Sequence, residues 1–243
     1  MGVQPDGFNI NEGVGSTDMA ALSAFVRAQK ADIGIAYDGD GDRVLMTDAR
    51  GEILDGDELV YIIAMHRLAT GHSDAGVVGT QMSNLGLEIA LREAGLQFAR
   101  AKVGDRYVKA LMETNGWPVG GESSGHIICS NVTTTGDGII ASLQVLMALQ
   151  AAQGNLDALR AGLTMYPQTM INVPVGGRVD LANYPALDKA VASIEQRLGT
   201  QGRVLLRPSG TEPKVRVMVE GKCQHQVRQL CEELVSEVAR ILA

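Results

Sequence analysis

Apolar positions along this chain switch between two periods. Short continuous apolar runs, Ile33-Gly34-Ile35-Ala36-Tyr37 and Gly76-Val77-Val78-Gly79-Thr80, have the length and flanks of buried strands. Between them, apolar residues recur every three or four positions, as on one helical face: Leu22, Phe25 and Val26 within 18–30, then Leu59, Ile62, Ile63 and Leu68 within 56–69. Ser16 or Thr17 is placed to cap the first of these helices, and Ser83 or Asn84 to cap another over 84–95. The pattern continues with strands at 43–47 and 97–101, a helix over 104–115, a strand at 127–129 and a long helix over 137–152. Residues 1–16, rich in Gly, Asn and Asp, read as loop. Pro167 marks a boundary. Beyond it the pattern predicts strands at 170–175, 204–207 and 215–219 and helices over 184–198 and 224–242. Stacked β/α units therefore precede a small α+β unit.

Composition narrows the classes. The chain has 243 residues, is 45% hydrophobic and carries a net charge of −7. That is enough apolar material for a real core, and the acidic balance argues against nucleic acid and membrane surfaces as partners. Cys129, Cys223 and Cys231 have no metal-type spacing and read as reduced thiols of a cytoplasmic protein. No apolar run reaches transmembrane length, and the first residues show neither a basic region nor an apolar signal core.

The most informative segment is Asp38-Gly39-Asp40-Gly41-Asp42-Arg43, directly after the first strand. In an extended segment alternate side chains share a face, so Asp38, Asp40 and Asp42 can converge. Three converging carboxylates repel one another unless a cation joins them. A hard divalent ion such as Mg²⁺, with a phosphate completing its shell, suits such a site. An EF-hand would need Gly at the sixth position and Glu at the twelfth; Arg43 and Ala49 stand there. An acidic surface turn is the plainer alternative.

Three more loops carry polar chemistry. Glu122-Ser123-Ser124-Gly125-His126 combines a carboxylate, two hydroxyls and an imidazole; Glu122 could accept from two sugar hydroxyls, Ser124 could bridge, and His126 could donate to a hydroxyl or a phosphate. The alternative is a mobile surface turn. Arg207-Pro208-Ser209-Gly210-Thr211-Glu212-Pro213-Lys214-Val215-Arg216 sets small and hydroxyl residues between arginines, as an anion cradle would, or as a solvated hairpin would. Arg100-Ala101-Lys102-Val103-Gly104-Asp105-Arg106 places basic residues at the carboxyl end of a strand, where α/β sheets bind ligands; plain surface charge competes with that reading.

Taken together and in order, these loops resemble the metal, sugar and phosphate loops of the α-D-phosphohexomutase family. Three further segments, 5–11, 102–108 and 133–139, are similar to the branch of that family acting on glucosamine phosphates. The resemblance implies a multi-domain fold of mixed α/β sheet domains followed by a small α+β C-terminal domain. Residues 1–51 would be part of a second domain carrying the metal loop, 52–165 a third domain with the sugar loop, and 166–243 a fourth with the phosphate loop. It implies a phosphosugar mutase that interconverts glucosamine 6-phosphate and glucosamine 1-phosphate through a hexosamine bisphosphate, with Mg²⁺ held by Asp38, Asp40 and Asp42. Lys102, Arg106, Glu122, Ser124, His126, Arg207, Ser209, Gly210, Thr211 and Arg216 would bind substrate, with Arg43 and His126 supporting catalysis. One feature departs from the family: its phosphoserine lies in an Ala-Ser-His-Asn-Pro type segment, and no Ser-His-Asn-Pro string occurs here. The expectation is a C-terminal portion whose preceding part carries the nucleophile, inactive by itself. A chain that binds phosphosugar or a partner without turnover, and a phosphohexomutase acting on another sugar, are the alternatives.

Overall fold

The computed structural model describes residues 1–177, 179–209 and 212–242, and the chain divides into two compact units, Met1–Thr164 and Met165–Ala243. In the first unit, α1 (Ala20–Gln29) precedes a small antiparallel sheet of β1 (Ile33–Tyr37), β2 (Val44–Asp48) and β3 (Ile53–Leu54), in the order β1-β2-β3. The register pairs Tyr37 with Val44, so residues 38–43 form the closed end of a hairpin. Among the described residues β1 is paired on one side only.

The helix α2 (Gly56–Ala69) opens with a full capping box. Asp55 accepts from the N–H groups of Asp57 and Glu58, and Glu58 accepts in return from the Asp55 N–H. Its middle, Leu59 to Ala64, is buried on every face, which suits a helix that packs against strands and other helices at once. Then come β4 (Gly76–Thr80), α3 (Leu85–Glu93), β5 (Gln97–Ala101), α4 (Asp105–Asn115), β6 (Val119–Gly121), β7 (Ile127–Cys129), α5 (Gly138–Ala151) and α6 (Leu156–Arg160). The second sheet runs β5-β4-β6-β7, with β4 parallel to both neighbours and β7 antiparallel to β6. β4 is buried throughout, as a central parallel strand covered on both faces must be. Because β4, β5 and β6 run the same way, the loops that follow them emerge at one end of the sheet, where α/β folds take ligands.

The second unit is an antiparallel sheet of β8 (Gln168–Pro174), β10 (Lys214–Gly221) and β9 (Gly202–Pro208), with β10 central, joined by α7 (Pro185–Leu198) and α8 (Gln224–Leu242). It has its own core, built from Val173, Leu187, Val215, Val217, Val219, Val227, Leu230 and Leu234 among others.

Two local expectations are corrected. Neither Ser16 nor Thr17 caps α1. Its N-cap position is held by Met19, and the Asp18 carboxylate accepts from the Ala20 N–H, while Ser16 is buried with its N–H on the Tyr37 carbonyl. The aspartate loop is not extended: Gly41 has φ +74°, and its N–H bonds to the Asp38 carbonyl at 3.2 Å, so a turn bends the carboxylates together. Cys129 and Cys231 are buried free thiols, each pushed up to about 11 by burial, and Cys223 is free and exposed.

Candidate metal and sugar-loop site

Asp38, Asp40 and Asp42 each offer an oxygen that lies within 4.8 Å of the others. The loop fixes part of this set itself. The Arg43 N–H donates to Asp38 Oδ1 at 3.0 Å, and Arg43 Nε stands 3.7 Å from both Asp38 Oδ2 and Asp42 Oδ1. Asp42 Oδ1 is buried, and among the described residues it has no hydrogen-bond partner. An orphaned buried oxygen beside two more carboxylates is costly as it stands, and an oxygen-coordinated divalent cation relieves it. The donor set is all oxygen, so the residues fit Mg²⁺.

The sugar-loop candidates form the turn of the β6–β7 hairpin. Gly125 donates to the Glu122 carbonyl at 2.9 Å, and Glu122 N–H to the His126 carbonyl at 3.0 Å. This hairpin is stitched to the metal loop. Val44 N–H donates to the Gly125 carbonyl at 3.0 Å, Arg43 and His126 form an isolated antiparallel bridge, and His126 Nδ1 lies 3.0 Å from Asp42 Oδ2. Gly125 has φ +92°, and a Cβ there would strike the Val44 carbonyl. The N-terminus of α2 closes on the same turn, with the Gly56 N–H on the Ser123 carbonyl at 3.0 Å and no room for a side chain against the Glu122 carbonyl.

Glu122 is half-buried, and burial raises its carboxyl above the usual carboxylate range, with Asp105 adding to the rise. His126, Arg43 and a hydrogen bond from the Gly104 backbone pull the other way. The hydrogen bond from the Gly104 backbone and the nearby Asp105 charge bring the loop after β5 to Glu122, so Lys102 and Arg106 belong to the same end of the sheet. Both are exposed, as is Ser124. Arg106 lies over the Tyr107 ring and donates to its hydroxyl at 2.7 Å. Arg100, the other basic residue of that segment, is turned away to Glu88 and to the carbonyls of Thr80 and Ser83.

In the second unit, Arg207 and Arg216 face each other across β9 and β10. Arg207 Nε is buried with no hydrogen-bond partner among the described residues, and burial, then the charge of Arg216, lowers its pKa. Two paired cations with a buried unsatisfied donor favour an anion. Ser209 receives the Glu212 N–H on its hydroxyl at 3.3 Å; Gly210 and Thr211 lie outside the described residues.

Sequence reasoning did not assign residues 133–138 to the site. Two of them lie on it: the Gly138 N–H donates to the Gly41 carbonyl at 2.9 Å, a Cβ on Gly138 would sit 2.7 Å from the Arg43 carbonyl, and Gly136 rests against the His126 ring. Two glycines at alternate positions in a polar segment are the only local signal of such a close approach.

Mixed α/β units, a carboxylate hairpin and a polar hairpin beside it define a phosphohexomutase-type protein, and the chain belongs to the phosphoglucomutase/phosphomannomutase family. Residues 55–166 match that family's alpha/beta/alpha domain III, and residues 170–237 match its C-terminal domain. Among its relatives is the phosphoglucosamine mutase of Cellvibrio japonicus (strain Ueda107), 55% identical over 241 residues, covering 99% of this chain and 54% of that protein. The phosphoglucosamine mutase of Aeromonas salmonicida (strain A449) is 54% identical over 98% of the chain and 54% of its own length. The chain thus spans about half the length of the curated relatives it matches. Its fold is similar to that of an Aspergillus fumigatus N-acetylphosphoglucosamine mutase in complex with GlcNAc-6P and magnesium: the TM-score is 0.74 and the identity 20%, over 96% of this chain and 54% of that one. A Burkholderia thailandensis phosphoglucomutase/phosphomannomutase family protein matches at TM-score 0.73 and 23% identity, over 93% and 50%. No helix among the described residues is long and apolar enough to cross a membrane.

Proposed function

We propose that this chain is the metal-, sugar- and phosphate-handling portion of a cytoplasmic phosphoglucosamine mutase, which interconverts glucosamine 6-phosphate and glucosamine 1-phosphate through a hexosamine bisphosphate. The observation that carries this reading is the stitching of the Asp38–Arg43 hairpin to the Glu122–His126 hairpin, in a chain about 55% identical to proteins of that name. In this reading residues 1–51, 52–165 and 166–243 are the end of one domain and two further ones.

Asp38, Asp40 and Asp42 hold Mg²⁺, which when bound supplies positive charge to a transferring phosphoryl group. Arg43 shares the charge of two of the three carboxylates and keeps the loop closed through its N–H. Glu122 accepts hydrogen bonds from sugar hydroxyls; its partial burial makes an unmatched hydroxyl costly and so discriminates between epimers. Ser124, Lys102 and Arg106 offer exposed polar groups to the same sugar phosphate. In the second unit Arg207 and Arg216, with Ser209, Gly210 and Thr211, take a phosphate group.

Transfer through a bisphosphate needs a covalent phosphoryl carrier. The family's Ser-His-Asn-Pro string is absent from this sequence, so the 243-residue chain alone is expected to give no turnover. A coupled assay of glucosamine 1-phosphate formation, with Mg²⁺ and bisphosphate primer, tests this. The chain is assayed alone and then mixed with the N-terminal half of the C. japonicus relative. Activity restored only in the mixture supports the proposal. Robust turnover by the chain alone means that it holds a nucleophile not recognised here. Restored turnover of glucose phosphate but not glucosamine phosphate moves the specificity to another branch.

A further inference from the structure

The aspartate hairpin rests on one face of α5, and each contact lies directly beside an aspartate in the chain. Before Asp38 stands Tyr37, whose hydroxyl is 2.7 Å from Ser142 Oγ. Between Asp40 and Asp42 stands Gly41, whose carbonyl accepts the Gly138 N–H at 2.9 Å. After Asp42 stands Arg43, and its carbonyl oxygen would lie 2.7 Å from a Cβ on Gly138; the Tyr37 ring would lie 2.9 Å from the same Cβ. Gly138 and Ser142 are four positions apart, so they occupy one stripe of the helix.

The Tyr37–Ser142 bond runs in one direction. Ser142 is 1% exposed, and its Oγ also lies 2.8 Å from the Ile139 carbonyl, which only accepts. The single Ser142 proton therefore goes to Ile139, and the Tyr37 hydroxyl donates to Ser142 Oγ. A hydroxyl tied in this way to a buried helix position fixes the end of β1 against α5.

What such backing does to a cation site depends on the ion. Mg²⁺ demands near-octahedral oxygens at about 2.0–2.1 Å, whereas Ca²⁺ takes about six to eight oxygens at about 2.3–2.6 Å in flexible geometry. A hairpin held on either side of its carboxylates needs little further ordering to meet the stricter ion; a loosened hairpin must be ordered by the ion itself, at a cost in affinity.

We propose that Tyr37, Gly138 and Ser142 are positioning residues that back the aspartate hairpin against α5 and so bias it toward Mg²⁺ over Ca²⁺. This rests on the metal-site reading above. The three residues act through the backbone on either side of the carboxylates.

The experiment measures Mg²⁺ and Ca²⁺ binding to the 243-residue chain by calorimetry, with thermal unfolding of every variant alongside. Wild type is compared with Asp40→Asn, Tyr37→Phe, Ser142→Ala, the Tyr37→Phe/Ser142→Ala double variant and Gly138→Ala. Tyr37→Phe removes one oxygen and keeps the ring. In both single variants of the strut, Mg²⁺ affinity should fall about three- to tenfold, less than the about 10–100-fold typical of groups bonded to a metal ligand itself, while Ca²⁺ affinity changes less than about twofold. The double variant should match either single one, because each already breaks the same bond. Gly138→Ala should lower the Mg²⁺/Ca²⁺ ratio at least as far. A lowered melting temperature with an unchanged ratio overturns the proposal, because it makes the strut a matter of stability alone. Losses that add in the double variant also overturn it. Should Ser142→Ala fail to fold, the ratio in Tyr37→Phe decides alone. Wild type binding Mg²⁺ no better than Asp40→Asn removes the metal site itself and this inference with it, a result distinct from the others.

Discussion

Asp57 is a buried acid outside both the aspartate loop and the Glu122–His126 hairpin. It sits in the first turn of α2, 2% exposed, with Oδ2 accepting the Asn84 N–H at 2.7 Å and Oδ1 unpartnered among the described residues. Burial, then the neighbouring Asp55 carboxylate, pushes it up to about 7; Asn84, Ser83 and the Arg100 charge only partly oppose this. A carboxyl whose pKa is higher folded than unfolded contributes stability that is complete below its unfolded value near 4 and is lost as pH rises through its folded value. The chain should therefore lose stability between pH 5 and 8 through this group. Asp57→Asn keeps an acceptor for Asn84 and cannot ionise, so its melting temperature should fall less over that range. One pKa unit is worth about 1.4 kcal/mol, so the difference should be at least about 2–4 °C for a chain of this size. Parallel melting curves at pH 5, 6, 7 and 8 for the two proteins would decide it, and two profiles of equal slope would show that Asp57 is ionised throughout.

At the level of elements, the site is two hairpins tied together, and the tie depends on a glycine. Gly125 combines φ +92° with a backbone approach to Val44 that leaves no space for Cβ. Gly125→Ala should cost at least about 1–3 kcal/mol, the usual range for backbone strain at a functional turn. Because the same contact joins the β6–β7 turn to the strand that follows the aspartates, the variant should also bind Mg²⁺ more weakly. A variant with a lowered melting temperature and unchanged metal affinity would show that the metal loop holds its shape without the neighbouring hairpin. Much of this layer is legible in the sequence. α2, β1, β4, β5 and α8 stand where the apolar pattern puts them, because a continuous or periodic apolar segment must be buried whatever its neighbours. β3 has only Ile53 and Leu54, and α6 only Leu156 to Arg160, too short to show a period. The aspartates could be read as converging, but the turn that brings them together depends on φ at Gly41, and their contact with His126 spans 84 positions that no local pattern encodes. Gly136 and Gly138 were visible only as part of a similar segment, since a close approach has no signature until the partner is known.

For the whole molecule, the division into two units makes the second one testable alone. Among its described residues the second unit has a three-stranded sheet, two α-helices and its own apolar core, so it should fold as an independent domain with one cooperative unfolding transition. Arg207 gives that domain a signed prediction. Its charge is disfavoured by burial and by Arg216 opposite, and like charges directly opposed across strands cost roughly 0.2–1 kcal/mol. Without anion, Arg207→Met should therefore unfold at the same temperature as wild type or slightly higher, since the methionine keeps the apolar stem and removes the repulsion. Inorganic phosphate should reverse the order. A ligand at a hundred times its dissociation constant stabilises by about 2.7 kcal/mol, and this gain should appear in wild type and vanish in the variant. Sodium chloride at equal ionic strength separates a site for phosphate from general screening. If phosphate stabilises both proteins equally, the Arg207–Arg216 pair is a solvated hairpin end, and the phosphate-binding role proposed for the second unit fails even if the domain folds as expected.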